Sequence, residues 1–368
     1  MATPLLIVLP TTPGAGALGA VSVAGLPLSR RVELAAERAG FGDVVAAGGE
    51  RAALDAPRRI VALDGHVVPQ SAWLRALSTM PLQPETLYVD DGAVAVIDTD
   101  EPARVFAAAT RCGGAGELAR ALGDDLSVVR RPLEPAGRFA LAGAGDVPAA
   151  EAWLLRGLIK PSEGFMSRHV ERRISLAVTR RLFDTSITPN VMTLISVGIG
   201  LAGALCFLMA TRVWQTIGAL LFLTHSILDG CDGELARLKF LESRAGAVLD
   251  FWGDNLVHVA VFGCMAVGWS LAGGGVLPLV LGGVTIVSAL ATATLAARRF
   301  IGGEATAAAS PAGRVAEALS HRDFIYLIVA LAVFGKAHWF LVIAAVGTPS
   351  FLLLFLLASR ARPTADRP

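Results

Sequence analysis

The chain has 368 residues, enough for two domains, and its net charge of +1 points to no particular partner, so nucleic acid is not expected as one. Mean hydropathy is +0.59, yet charged residues concentrate in 1–185 while apolar runs dominate 190–360. That contrast rules against a single soluble domain and indicates a soluble part joined to a membrane part. Cys112, Cys206, Cys231 and Cys264 lack metal-ligand or disulfide-framework spacing, and the last three read as small buried residues of apolar segments. No basic stretch leads into an apolar core and cleavage site at the N-terminus, so no signal peptide is expected.

Residues 1–150 read as an α/β domain. Leu5–Leu9 is a short buried strand, followed by a glycine-bearing loop (Gly14, Gly16, Gly19) and a helix over about 27–39. Asp43–Ala46, Arg59–Leu63 and Leu87–Val89 are further strands, and the alternation predicts a mostly parallel, doubly wound sheet. Residues 151–187 form a linker and an amphipathic helix. Within it, 165–183 alternate apolar and basic residues at helical period, which suits a helix in the membrane interface with its arginines facing lipid headgroups. Packing of that helix on the soluble domain is the other reading.

Thr188-Pro189-Asn190 stops this helix and starts the first membrane span. Six spans are expected over 188–360, near 190–210, 214–238, 245–270, 275–297, 322–336 and 338–359, with 361–368 as a tail. Arg168, Arg172, Arg173, Arg180 and Arg181 precede the first span. Arg298, Arg299, Arg314 and Arg322 lie between the fourth and fifth, and Arg360 and Arg362 follow the sixth. The positive-inside rule then puts both termini in the cytoplasm of a cell inner membrane protein.

The second and third spans carry Asp229-x2-Asp232-Gly233-x2-Ala236-Arg237-x8-Gly246-x3-Asp250-x3-Asp254. Ionisable groups at membrane depth are costly and mark functional sites. Asp229 and Asp232 are three apart and Asp250 and Asp254 four apart, so each pair projects from one helix face. Two such helices face to face form an oxygen cage for hard divalent cations. Two cations held by shared carboxylates can clamp a diphosphate, and an adjacent carboxylate can deprotonate an attacking hydroxyl. Gly233 and Gly246 leave room for a nucleotide against the helix backbones, and Arg237 can pair with a phosphate or brace an aspartate. Solvated acids at helix ends, or a transporter with a carboxylate relay, leave the glycines and the Ala-Arg pair unexplained.

This string resembles, position for position, the signature of the CDP-alcohol phosphotransferase family, also called the CDP-alcohol phosphatidyltransferases. Pro189-Asn190-x2-Thr193 is similar to the element that opens the family's first span, and the likeness covers about 155–360. It implies an integral membrane enzyme that displaces CMP from a CDP-linked alcohol with an acceptor alcohol, in phospholipid or polar phosphodiester biosynthesis. By the same likeness Asp229, Asp232, Asp250 and Asp254 hold two Mg2+ ions, for which Mn2+ can substitute, and Asp254 is the general base. Asn190, Thr193, Gly233, Ala236, Arg237 and Gly246 surround the CDP moiety, and members pair as homodimers through the membrane domain.

Arg244, Arg298, Arg299 and Arg322 are candidate ligands of a phosphorylated acceptor such as inositol phosphate or glycerol phosphate, although the positive-inside rule alone also places arginines there. Lys160–Arg168 resembles the junction of members that make di-inositol phosphate phosphate and carry a leading nucleotidyltransferase-like domain. Here the leading domain departs from an active nucleotidyltransferase, because no basic residue follows the loop glycines before Arg30. Asp64 stands where a metal-binding aspartate is expected. A degenerate domain is therefore the expectation. The alternatives are a bifunctional enzyme whose first domain makes CDP-inositol from CTP, and a non-catalytic lipid-binding scaffold.

Overall fold

A computed structural model describes residues 2–10, 18–47, 49, 56–159, 170–300 and 324–360. The chain divides into two compact units, Met1–Gly157 and Leu158–Pro368.

The first unit is built on strands β1 (Leu5–Leu9), β4 (Asp43–Ala46), β5 (Arg58–Asp64), β7 (Thr86–Asp90), β8 (Val94–Thr99) and β9 (Ser127–Arg130). They form one sheet in the order β4-β1-β5-β8-β7-β9. The pairs β1–β4, β1–β5 and β7–β9 are parallel, whereas β8 runs antiparallel to both β5 and β7. The expected mostly parallel sheet thus contains one reversed strand. Its cause is local: only Asp91-Gly-Ala separates the end of β7 at Asp90 from the start of β8 at Val94, too short for a crossover helix, so the chain turns straight back.

Alternate residues of the central strands point to opposite faces. Leu5, Ile7, Leu9, Ile60, Ala62, Leu87 and Val89 share one core with Val105 and Phe106 of helix α3 (Pro102–Ala109) and with Leu118 and Leu122 of α4 (Ala115–Leu122). Helices α1 (Leu28–Ala39) and α2 (Ser71–Thr79) pack together and against β4 and β5. Short pairs β2–β3 (Ser22–Val23, Leu26–Pro27) and β6–β10 (Val67–Pro69, Arg138–Ala140), with α5 (Val147–Arg156), complete the unit. Asp64, at the end of β5, accepts a hydrogen bond from the backbone N–H of Ala115 at 2.7 Å, so it caps α4. Gly14 and Gly16 lie outside the described residues.

In the second unit, α6 (Arg172–Leu182) precedes α7 (Pro189–Cys206), whose first turn is capped by Thr188 Oγ1 accepting from Val191 N at 3.4 Å. Then come α8 (Arg212–Lys239), α9 (Arg244–Trp269) with a π-turn at Ser270–Gly274, α10 (Leu277–Phe300), α11 (Phe324–Val333) and α12 (Ala337–Arg360). Helices α7 and α8 cross backbone to backbone. A Cβ on Gly218 would stand 2.8 Å from Gly203 O, the close approach that small residues permit in membrane bundles.

Four stretches are long and apolar enough to cross a membrane: Pro189–Cys206, Arg244–Gly274, Leu277–Arg298 and Ala337–Ala358. The protein is therefore a multi-pass membrane protein. Helix α8 has 28 residues but carries Asp229, Asp232, Glu234, Arg237 and Lys239 in its last turns. The fifth expected span appears among the described residues as the ten-residue α11.

The part of the expected interfacial helix that is described, α6, does not turn all its arginines outward. Arg173, Arg180 and Arg181 are exposed, but Arg172 binds Glu234 of α8 at 2.7 Å. Its buried face is polar, with Ser175 at 2% and Thr179 at 0% exposure, because a carboxylate waits for it on α8. Residues 160–169 lie outside the described set.

Candidate metal centre and nucleotide cavity

A short turn joins the C-terminal half of α8 to the N-terminal half of α9, and both helices pack against α7. Phe240 takes the left-handed conformation (φ 57°) at the end of α8, and Ser243 Oγ accepts from Gly246 N at 3.0 Å to open α9. This turn puts the i,i+3 pair Asp229/Asp232 against the i,i+4 pair Asp250/Asp254. Ligand oxygens of Asp229, Asp232 and Asp250 lie within 4.8 Å of one another, and so do those of Asp229 and Asp254 with a nitrogen of His225. Asp229 belongs to both triads. Asp229 and Asp232 are each 5% exposed, while Asp250 and Asp254 are half-buried.

Like charges gathered this closely repel one another, and a cation between them relieves the repulsion. The donor set, all carboxylate oxygen in one triad and two carboxylates with an imidazole in the other, fits a divalent cation. Thr193 Oγ1 donates to Asp232 Oδ2 and Gly233 N donates to Asp232 Oδ1, which fixes that carboxylate from α7 and from its own helix.

Beside the acids is a cavity of about 200 Å³ lined by Asn190, Thr193, Asp232, Gly233, Ala236, Arg237, Gly246 and Asp250, among others. All six residues expected around CDP are among them. Gly246 is needed where it stands: a Cβ there would meet Asn190 Oδ1 and Ser243 Oγ at 3.0 Å each. The Arg237 guanidinium folds back beside Gly233, with Nη1 3.3 Å from where a Cβ would be.

Of the acceptor candidates, Arg244 and Arg298 are exposed and do not line this cavity. The Arg299 side chain and Arg322 lie outside the described residues.

Three residues at the site escaped the sequence reading. His225, 0% exposed, has Nε2 3.3 Å from Asp254 Oδ1. It occupies space left by Gly200, where a Cβ would meet its ring at 2.9 Å. His258 Nδ1 donates to Asp254 O at 2.7 Å, which assigns its proton to Nδ1 because a carbonyl can only accept. Both lie one turn outside the acid grid, at Asp229 − 4 and Asp254 + 4, so the i,i+4 rule that pairs the acids could have found them. The third is Glu234, hidden among the unspecified positions of the motif.

The family model for CDP-alcohol phosphatidyltransferase matches residues 186–351. A bifunctional IPC transferase and DIPP synthase of Thermococcus kodakarensis is 35% identical over 122 residues, which are 33% of this chain and 27% of that protein. A phosphatidylinositol phosphate synthase of Mycobacterium tuberculosis is 32% identical over 105 residues, 28% of this chain and 47% of that protein. The aligned part of the chain thus spans about a quarter of the first relative's length and under half of the second's. A crystal structure of the Mycobacterium tuberculosis phosphatidylinositol phosphate synthase with CDP-DAG bound has 23% identity and a TM-score of 0.38, covering 53% of this chain and 98% of that one. The acid grid, the cavity and the opening of α7 all fall inside the stretch that the CDP-alcohol phosphatidyltransferase family model matches.

Proposed function

We propose that the protein is a metal-dependent CDP-alcohol phosphotransferase that releases CMP while joining an acceptor alcohol to the phosphate of a CDP-linked alcohol. The observation that carries this reading is the two triads sharing Asp229, one all carboxylate and one with the His225 imidazole, set beside a cavity lined by Asn190, Thr193, Gly233, Ala236, Arg237 and Gly246. Asp229, Asp232, Asp250 and Asp254 would hold two Mg2+ ions, replaceable by Mn2+, which would supply charge neutralisation for the diphosphate. The half-buried Asp254 takes the proton from the acceptor hydroxyl. The freed oxygen forms a bond to the β-phosphorus, the bond from that phosphorus to the oxygen of CMP breaks, and CMP leaves. Positioning of the donor by the glycine-lined wall lowers the entropic part of the barrier.

The domain plan we infer is 1–150 nucleotidyltransferase-like and without activity, 151–187 linker and α6, 188–360 the transferase domain with six spans, and 361–368 a tail. In this reading α8 and α11 join the four long apolar helices as spans, both termini face the cytoplasm of the inner membrane, and the domain forms homodimers. The engagement of Asp64 with Ala115 N supports a first unit without metal chemistry. The names of the bifunctional relatives favour a second reading, in which the first unit makes CDP-inositol. CTP-dependent pyrophosphate release from sugar phosphates by the full chain supports that reading, and none sinks it.

The direct test is a screen for CMP release, with CDP-diacylglycerol or CDP-inositol as donor against inositol phosphate and glycerol phosphate, and with Asp250→Ala as the blank. CMP formed only by the parent protein with Mg2+ is the expected result; no CMP from any pairing overturns the reading.

A further inference from the structure

Helix α8 looks two ways within one turn. Asp229 and Asp232 reach towards the acids of α9, while Gly230, Cys231 and Glu234 face α6. Glu234, 0% exposed, accepts from Arg172 Nη1 at 2.7 Å, Ser175 Oγ at 2.6 Å and Thr179 Oγ1 at 2.6 Å. Cys231 Sγ contacts Ser175 O at 3.4 Å. A Cβ on Gly230 would stand 3.1 Å from Arg172 Nη1 and 3.9 Å from Ser175 Cβ.

An apolar contact of the same volume would hold two helices together as firmly as a buried ion pair, and often more so. What it lacks is direction, since hydrophobic burial is indifferent to modest rotation. A carboxylate gripped by three donors is directional, and it resists rotation of α8 about its own axis. That rotation matters for the acids. A carboxylate at roughly 6 Å from the helix axis moves about 1 Å for each 10° of turn, whereas cation ligands must be placed to within about 0.2 Å.

We propose that Glu234 is a positioning residue: by clasping Arg172, Ser175 and Thr179 of α6 it fixes the rotation of α8 and so aims Asp229 and Asp232 at Asp250 and Asp254. The inference rests on the cation-binding role assigned to those acids under the proposed function. It extends the working part of the domain to α6, which contributes no residue to either triad.

Mn2+ alone is the probe, its binding to the full chain in detergent read by electron paramagnetic resonance, so that turnover is not the readout. Glu234→Gln should weaken Mn2+ binding about tenfold, the usual effect of losing support behind a metal ligand. The rescue is covalent. Gly230→Cys with Ser175→Cys, in a Cys231→Ala background, places two Cβ atoms 3.9 Å apart, inside the range a disulfide accepts. Oxidising that pair in the Glu234→Gln protein should restore Mn2+ affinity, and reduction should lose it again. A merely stabilising contact would not behave so.

If Glu234→Gln does not purify folded, Ser175→Ala leaves two donors on the carboxylate and should weaken Mn2+ binding severalfold. Parent-like Mn2+ affinity in the soluble variant, or a formed disulfide with no recovery, overturns the clasp while leaving the proposed function intact. A parent protein that binds no Mn2+ overturns both.

Discussion

Aspartates are buried in both units, and they are treated in opposite ways. In the α/β unit each is matched singly. Asp98 receives two bonds of 2.7 Å from Arg59, Asp90 receives Arg138 at 2.7 Å and Leu133 N at 2.9 Å, and Asp64 receives Ala115 N at 2.7 Å. In the membrane unit four carboxylates are brought to one another, in two triads sharing Asp229. A carboxylate matched by its own chain is structural and complete. Carboxylates gathered within reach of one another repel, a cation between them relieves that repulsion, and such clusters are candidate binding sites.

The contrast breaks most sharply at Asp250. Asp250→Ala should abolish Mn2+ binding and lower CMP release by at least about 10³-fold, as loss of a principal electrostatic stabiliser does. Retention of Mn2+ binding would show that the triads do not act as a cage. His225→Leu is a gentler probe. Leucine suits the apolar surroundings but cannot hold Asp254, so CMP release should fall about 10- to 100-fold with no change in the thermal midpoint. An unchanged rate would make His225 a packing residue.

The converse experiment is Asp98→Asn. Its carboxylate and the Arg59 side chain are 9% and 12% exposed, so little solvent replaces the lost charge-assisted bonds. Local stability of the α/β unit should drop by about 2 kcal/mol, read from hydrogen exchange of β5 and β8, while CMP release stays at the parent value. A matching loss of turnover would tie the two units together functionally and erase the distinction.

The acid site was legible because its information is local. Asp229, Asp232, Asp250 and Asp254 follow helical spacing, and one turn at 240–243 suffices to bring the two pairs together. The strands at 5–9, 43–46 and 58–64 were legible for the same reason, being short apolar runs between breakers. What escaped depended on a second element distant in sequence. Glu234 is an unremarkable helical glutamate until α6, 55 to 62 residues away, lays Ser175, Thr179 and Arg172 on it. The short turn reverses β8 locally, but its place beside β5 is set by pairing 39 residues apart at Arg59 and Asp98. Asp64 could not be assigned from sequence, because a carboxylate at a strand end serves a cation or a helix N-terminus equally well; in the fold it accepts from Ala115 N at the start of α4.

That choice at Asp64 has a consequence in pH. Burial, opposed by the Ala115 N–H, His66 and Arg138, raises its pKa above the ordinary 3.8. A raised carboxyl pKa means that the folded chain holds the proton longer than the unfolded chain. The folded state is therefore not penalised below the unfolded pKa, and it loses stability as pH climbs from about 3.8 through the folded value, after which the loss is constant. Asp64→Asn keeps an oxygen for Ala115 N and removes the titration. The variant should match the parent below that window and exceed it above, with the gap opening as pH rises, in hydrogen-exchange protection of β5 on the full chain. A cation-binding Asp64 would give the opposite result in the presence of Mg2+: the parent would be the more protected at neutral pH, and the first unit would belong with the second as a place where carboxylates wait for a metal.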